Sequence, residues 1–73
     1  MTLRERLLNG EKVAVQGKYT AKRFYIRRVE GSLGVFFLQA YEMDGKRVKN
    51  ESVRWNHPTC EAWIRGVRIA TAA

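Results

Sequence analysis

From Lys12 to Trp55 the chain alternates sides. Val13, Val15 and Tyr19 fall on one side of an extended backbone, and Lys12, Gln16 and Lys18 fall on the other. That period of two belongs to a half-buried strand rather than to a helix. Three further runs rich in β-branched and aromatic residues follow, Lys22 to Val29, Gly34 to Met43 and Lys46 to Trp55, with turn residues between them. Antiparallel neighbours need only short connections, so the expectation is a four-stranded antiparallel meander.

Two turns decide how those strands face one another. Asp44-Gly45, flanked by alternating residues, predicts a two-residue turn with positive φ at both positions. That turn sets Met43 opposite Lys46, Glu42 opposite Arg47, Tyr41 opposite Val48, Phe37 opposite Ser52 and Phe36 opposite Val53, and it makes Glu42 and Arg47 a cross-strand ion pair. At Glu30-Gly31-Ser32, a two-residue and a three-residue loop differ by one position and so exchange the faces of the second strand. The three-residue loop is the consistent choice. It gathers Phe24, Ile26, Phe36, Leu38, Ala40, Val53 and Trp55 on one apolar face, and Arg23, Tyr25, Arg27, Phe37, Gln39, Tyr41, Lys46, Asn50 and Arg54 on the other.

Helical signals flank the strands. Thr2 can cap a short helix whose Leu3, Leu7 and Leu8 share a face, and Asn9-Gly10 ends it. His57-Pro58 favours a second helix start, with Cys60, Trp63 and Ile64 on its inner side and Gly66 at its end. Val67 and Ile69 then form a short last strand beside Arg65 and Arg68. The expected fold class is α+β and mainly antiparallel: a short N-terminal helix, the meander, a short helix over the apolar face and a terminal strand, with a small SH3-like barrel as the alternative.

Seventy-three residues make one domain, 1–73, and folding at this size hides only roughly 60% of the surface exposed by the unfolded chain. A 45% apolar content, including Trp55, Trp63, Phe24, Phe36 and Phe37, suffices for such a thin core and argues against a disordered tail. Cys60 is the only cysteine, so no intramolecular disulfide can staple a domain that would need one outside the cell. Residues Met1 to Leu8 lack the apolar core of a signal peptide, and no run approaches the ~20 apolar residues of a membrane span. A cytoplasmic, non-membrane protein is expected.

Fourteen Lys and Arg stand against seven Asp and Glu, a formal charge of +7. An excess of this size speaks about partners, and polyphosphate is the commonest partner for it; solubility is the plainer use of the same charge. Position distinguishes the two. In Arg23-Phe24-Tyr25-Ile26-Arg27, alternation sets Tyr25 between two guanidinium groups while Phe24 and Ile26 turn inward. Aromatic rings take the flat faces of unstacked bases, at ~1–3 kcal/mol each, while neighbouring cations hold phosphates. Phe37 and Tyr41 extend the platform, with Lys22, Lys46, Asn50 and Arg54 at its margin. Lys18, Lys22, Arg23, Arg27 and Arg28 lie within an eleven-residue run that contains no acid, suited to phosphate contact. An edge strand guarded by its charges has the same composition, and an aromatic face is equally the mark of a dimer or partner interface.

No chemistry-bearing constellation accompanies the basic face. His57 is the sole histidine and has no cysteine at metal spacing, so it is expected as a helix cap or a surface residue. Zinc fingers, P-loops, G-x-G-x-x-G turns and hydrolase triads lack their required residues. Glu51 and Glu61 are read as solvated carboxylates rather than an acid–base pair. Neither catalysis nor a cofactor or metal is expected.

A strand meander followed by a helix, carried by Arg23 to Arg27, Asp44-Gly45 and the helix after Pro58, resembles in outline the single-stranded-DNA-binding transcriptional coactivators. The resemblance covers about two-thirds of the chain and implies a curved basic sheet in a dimer built around its helices. The N-terminal helix and the terminal strand depart from that pattern. The order of four strands, helical turn and fifth strand is also similar to that of SH3-like barrels, which bind nucleic acids and proteins alike. The function expected is nucleic-acid binding, single-stranded DNA or RNA before duplex, because neither helix has the Arg, Lys, Asn and Gln of a recognition helix. The alternatives are a small phage- or plasmid-type modulator docking on an acidic protein surface, a homodimer using the same face, and a structural subunit of an RNA-rich assembly.

Overall fold

The computed structural model describes residues 1–70. Helix α1, Leu3–Leu8, starts where expected. The Thr2 hydroxyl accepts from the Glu5 N–H while the Glu5 carboxylate accepts from the Thr2 N–H, a reciprocal box that satisfies two otherwise orphaned donors. Asn9 closes the helix, and Gly10 turns the chain away at φ 84°. Leu7 is fully buried and Leu3 packs beside it. Leu8, expected on the same face, is exposed because a helix of six residues turns only one narrow stripe inward.

Five strands form one open antiparallel sheet: β1 Val13–Gly17, β2 Arg23–Glu30, β3 Phe36–Tyr41, β4 Arg47–Arg54 and β5 Val67–Ile69, in the spatial order β4-β3-β2-β1-β5. The meander and the terminal strand are thus as read from the sequence, with β5 returning to pair with β1. Helix α2, Pro58–Gly66, packs on both edge strands, β4 and β5. It begins as the sequence indicates, with Pro58 at its first position and His57 Nδ1 accepting from the Thr59 N–H at 3.1 Å.

Registers depart from expectation at both turns. The β3–β4 connection is the three-residue loop Met43-Asp44-Gly45: the Gly45 N–H donates to the Glu42 carbonyl at 2.8 Å, and the Glu42 N–H donates to the Lys46 carbonyl at 2.7 Å. Only Gly45 needs positive φ there, since Asp44 instead accepts from the Lys46 N–H at 2.9 Å. Beyond it, Tyr41 stands opposite Arg47, Gln39 opposite Ser52, Leu38 opposite Val53 and Phe37 opposite Arg54. Four residues of β4, 48 to 51, therefore face Ala40 alone, in a bulge where Asn50 takes φ 65°. None of the five expected pairings forms. Val48 turns in to the core, and the Glu42–Arg47 ion pair gives way to Arg47 beside Tyr41.

The β2–β3 loop runs through five residues, Gly31 to Val35, around a 3₁₀ turn at Ser32–Gly34, rather than three. Glu30 therefore stands opposite Phe36, Arg28 opposite Leu38 and Ile26 opposite Ala40. Five and three are both odd, so the pairing slides without exchanging faces. Phe24 and Ile26 share a side with Leu38, Ala40 and Val53, as the three-residue reading had it.

That side holds the core. Val13 stands opposite Ile26, and Val15 lies between Phe24 and Ile69. With Leu7, Leu38, Ala40 and Cys60 these residues form the buried cluster, and Trp55, Trp63, Ile64 and Val67 pack around it. Both helices lie on this inner face. Tyr19, expected on the core side of β1, sits instead in the β1–β2 loop and is 93% exposed, because β1 ends at Gly17 and the Lys18 N–H is taken by the Gly66 carbonyl.

Candidate nucleic-acid interface

The outer face of the sheet carries no helix, and strand pairing arranges its side chains in rows. Arg68, Gln16 and Arg23 make the first row. Ala14, Tyr25, Tyr41 and Arg47 make the second, and Arg27, Gln39 and Ser52 the third. Val29, Phe37 and Arg54 make the fourth. Lys12, just ahead of β1, reaches the same face, its ammonium 5.1 Å from the centre of the Tyr25 ring and 4.8 Å from that of Tyr41.

Six cations therefore share one face: Lys12, Arg23, Arg27, Arg47, Arg54 and Arg68. No row contains a carboxylate, and the ion pairs among the described residues, Arg4 with Glu61 and Arg6 with Glu11, lie elsewhere. All six are exposed except Arg23, which is half-buried. Like charges gathered without counter-charges raise the local potential, and a polyanion relieves it.

The aromatic residues are more committed than alternation suggested. Tyr25, Phe37 and Tyr41 are each half-buried. The Tyr41 hydroxyl donates to Gln39 Oε1 at 3.0 Å, which holds its ring. Phe37 lies so close over Gly31 that a Cβ there would sit 2.8 Å from its ring edge. The face is thus a basic surface with its rings partly covered from within the chain.

Of the expected site residues, Arg23, Tyr25, Arg27, Phe37, Tyr41 and Arg54 come together on this face. Lys46 is exposed at the end of the Met43-Asp44-Gly45 loop, and Asn50 is exposed at the β4 bulge. Lys22 belongs to the other side, where it lines a cleft with Phe24, Ala40, Val48 and Glu51. Sequence reasoning missed Lys12, Arg47 and Arg68. Lys12 had a usable signal, since it alternates against Val13 and precedes the strand that pairs with Tyr25. Arg47 was hidden by the β3–β4 turn, whose third residue moves it from opposite Glu42 to opposite Tyr41.

Arg28, part of the acid-free run, is likewise turned inward. Its guanidinium stacks 4.0 Å from the centre of the Phe36 ring and 5.5 Å from that of Trp55, and it donates to the Leu8 carbonyl at 3.4 Å. Its buried Nε has no partner, and the residue ties the sheet to α1 rather than facing a phosphate. A second cleft of about 260 Å³, lined by Phe24, Ile26, Ala40, Glu51, Trp63 and Val67, adjoins the one that Lys22 lines and shares Phe24, Ala40 and Glu51 with it.

Cys60 is fully buried, and burial pushes its thiol up, the direction opposite to a nucleophile's. Among the described residues no group of three His, Cys, Asp or Glu is placed to hold a metal ion, and no helix is long and apolar enough to cross a membrane. Compared with protein-family models, with curated proteins and with solved structures, the chain has no match.

Proposed function

We propose that this chain is a nucleic-acid-binding module that grips the phosphodiester backbone with the outer face of its sheet. The observation that carries the reading is the set of six cations on one helix-free face, without an acid among them. Solubility alone would distribute both signs over the surface. Two copies meeting through this face would set six cations against six, which argues against a homodimer formed there. The lone buried Cys60 suits a reducing compartment, and a cytoplasmic setting belongs to the same proposal.

Fluorescence anisotropy with single-stranded DNA, duplex DNA and RNA at two salt concentrations tests it, with Arg27→Ala and Tyr25→Ala beside the parent chain. Binding at low salt is expected in the micromolar range or tighter. If all six cations reach phosphates of a duplex, log K should fall with log salt at a slope of roughly −5. Arg27→Ala should weaken every probe, since a phosphate contact is blind to sequence. Absence of binding to all three probes at low salt would sink the reading and leave an acidic protein surface as the partner that the same charges fit.

A further inference from the structure

Lys12 is the least ordinary of the six cations. Its ammonium lies over two rings at once, Tyr25 at 5.1 Å and Tyr41 at 4.8 Å. The β3–β4 loop adds a third wall, for a Cβ on Gly45 would stand 4.0 Å from Lys12 Nζ. The loop is itself held by the Asp44 and Glu42 hydrogen bonds, and the Tyr41 ring by its bond to Gln39. Arg47 stands opposite Tyr41, and Arg27 occupies the next row. An exposed lysine ordinarily samples many rotamers; this one, exposed as a residue, rests its ammonium over the two tyrosines.

That placement decides between two ways of holding a nucleic acid. A base stacking on Tyr25 or Tyr41 must first move the ammonium off both rings, and giving up its attraction to two aromatic faces offsets much of what stacking one base contributes. A phosphate displaces nothing. It meets an ammonium already positioned, with two guanidinium groups near it, and most of the side-chain ordering has taken place before binding. We infer that the outer face takes the sugar–phosphate backbone of duplex DNA, with Lys12 seated on its tyrosine cradle as a phosphate-holding residue, rather than unstacked bases on Tyr25 and Tyr41. The inference rests on the nucleic-acid reading and reverses the single-strand preference expected from the sequence.

The test uses the whole chain and two probes of equal length and mixed sequence, one duplex DNA and one single-stranded DNA, titrated by anisotropy across a salt series. Lys12→Ala removes the charge and uncovers the rings. Lys12→Met removes the charge but keeps a stem over them, and serves if the alanine variant melts early. Arg65→Ala, an exposed cation on α2, controls for net charge alone.

The parent chain should bind the duplex more tightly than the single strand. Either Lys12 variant should weaken the duplex by about eightfold near 0.1 M salt and flatten its log–log salt slope by about 0.9, the signature of one lost phosphate contact. Arg65→Ala should change both far less. The single strand should lose less than the duplex in Lys12→Ala, because the freed rings offset part of the lost phosphate contact. A parent chain that prefers the single strand, or a duplex slope unmoved by both Lys12 variants, overturns the inference while the nucleic-acid reading stands. Binding of neither probe overturns both.

Discussion

Gly31 and Leu33 sit two residues apart in the β2–β3 loop and exchange the roles usually given to such residues. Gly31 has an unremarkable extended backbone at φ −101°, but a Cβ on it would stand 2.8 Å from Phe37 Cε2 and 3.2 Å from the Val35 carbonyl oxygen. Glycine is required there for space. Leu33 takes φ 59° with its side chain 99% exposed, so it bears the left-handed penalty of about 1–2 kcal/mol without packing to offset it. Substitutions two residues apart should therefore act with opposite sign. Gly31→Ala should destabilise by about 1–3 kcal/mol, as overpacking against a ring and backbone does. Leu33→Asn should be neutral or stabilising by up to about 1 kcal/mol, since asparagine tolerates this conformation. Urea midpoints at constant slope measure both; a stable Gly31→Ala would mean that Phe37 is free to leave the loop, and the fourth row of the basic face would then be mobile.

A six-residue helix is too short to hold itself together, and α1 depends on what it touches: the Thr2–Glu5 box, the buried Leu7, the Arg28 bond to its last carbonyl and the Arg4–Glu61 pair to α2. Hydrogen bonds from Thr2 hold the Glu5 carboxyl below the usual carboxylate range, and the Arg4 guanidinium does the same for Glu61. A lowered carboxylate contributes stability that is present above its ordinary value and lost as pH falls through the lowered one. Stability should thus be level near neutrality and decline once pH drops below about 4.5, the ordinary value for both groups. Glu61→Gln should be less stable than the parent at pH 7 and converge with it in acid, by a modest margin because the pair is open to solvent. Denaturation at pH 7, 5, 4 and 3 checks this, and parallel curves for parent and variant would show that the pair contributes nothing. These caps were legible in the sequence because they are written within four residues of each other. Strand parity was legible for the same reason, through the alternation around Val13, Ile26 and Leu38. Registers were not: nothing local states that Leu33 will accept a left-handed backbone or that β4 will bulge at Asn50, because both depend on how inner-face side chains meet across strands. The basic face survived those errors because an odd loop replaced an odd loop between β2 and β3, and because the bulge at residues 48 to 51 offset the extra residue of the β3–β4 turn before Arg54; Lys22 and Arg28 were assigned by charge run, which ignores facing.

At the scale of the whole molecule, one set of charges is asked to do two opposed things. The chain measures 39 × 25 × 20 Å along its principal axes and bears a formal +7, much of it on one side of a sheet. At 0.01 M salt the screening length of about 30 Å spans that face, so its cations repel one another together. Near 0.1 M it is about 10 Å, and only neighbours within a row or two still interact. Self-repulsion works against the compact state, while the same uncompensated cations draw in a polyanion by releasing its counterions. Added salt should therefore stabilise the free protein and weaken its complexes. Thermal melting between 0.01 and 0.2 M potassium chloride should show a rise on the order of a few degrees in the free chain, over the interval in which anisotropy shows affinity falling. Screening of the Arg4–Glu61 pair acts the other way but is a single exposed contact against six clustered cations. Replacing Arg27 and Arg54 together by Gln should raise the melting temperature at low salt and flatten its salt dependence, because both stand exposed on the outer face and neither forms an ion pair among the described residues. A double variant that melts lower at 0.01 M would mean that these arginines stabilise the sheet they lie on, and the outer face would then be a structural surface before it is a binding one.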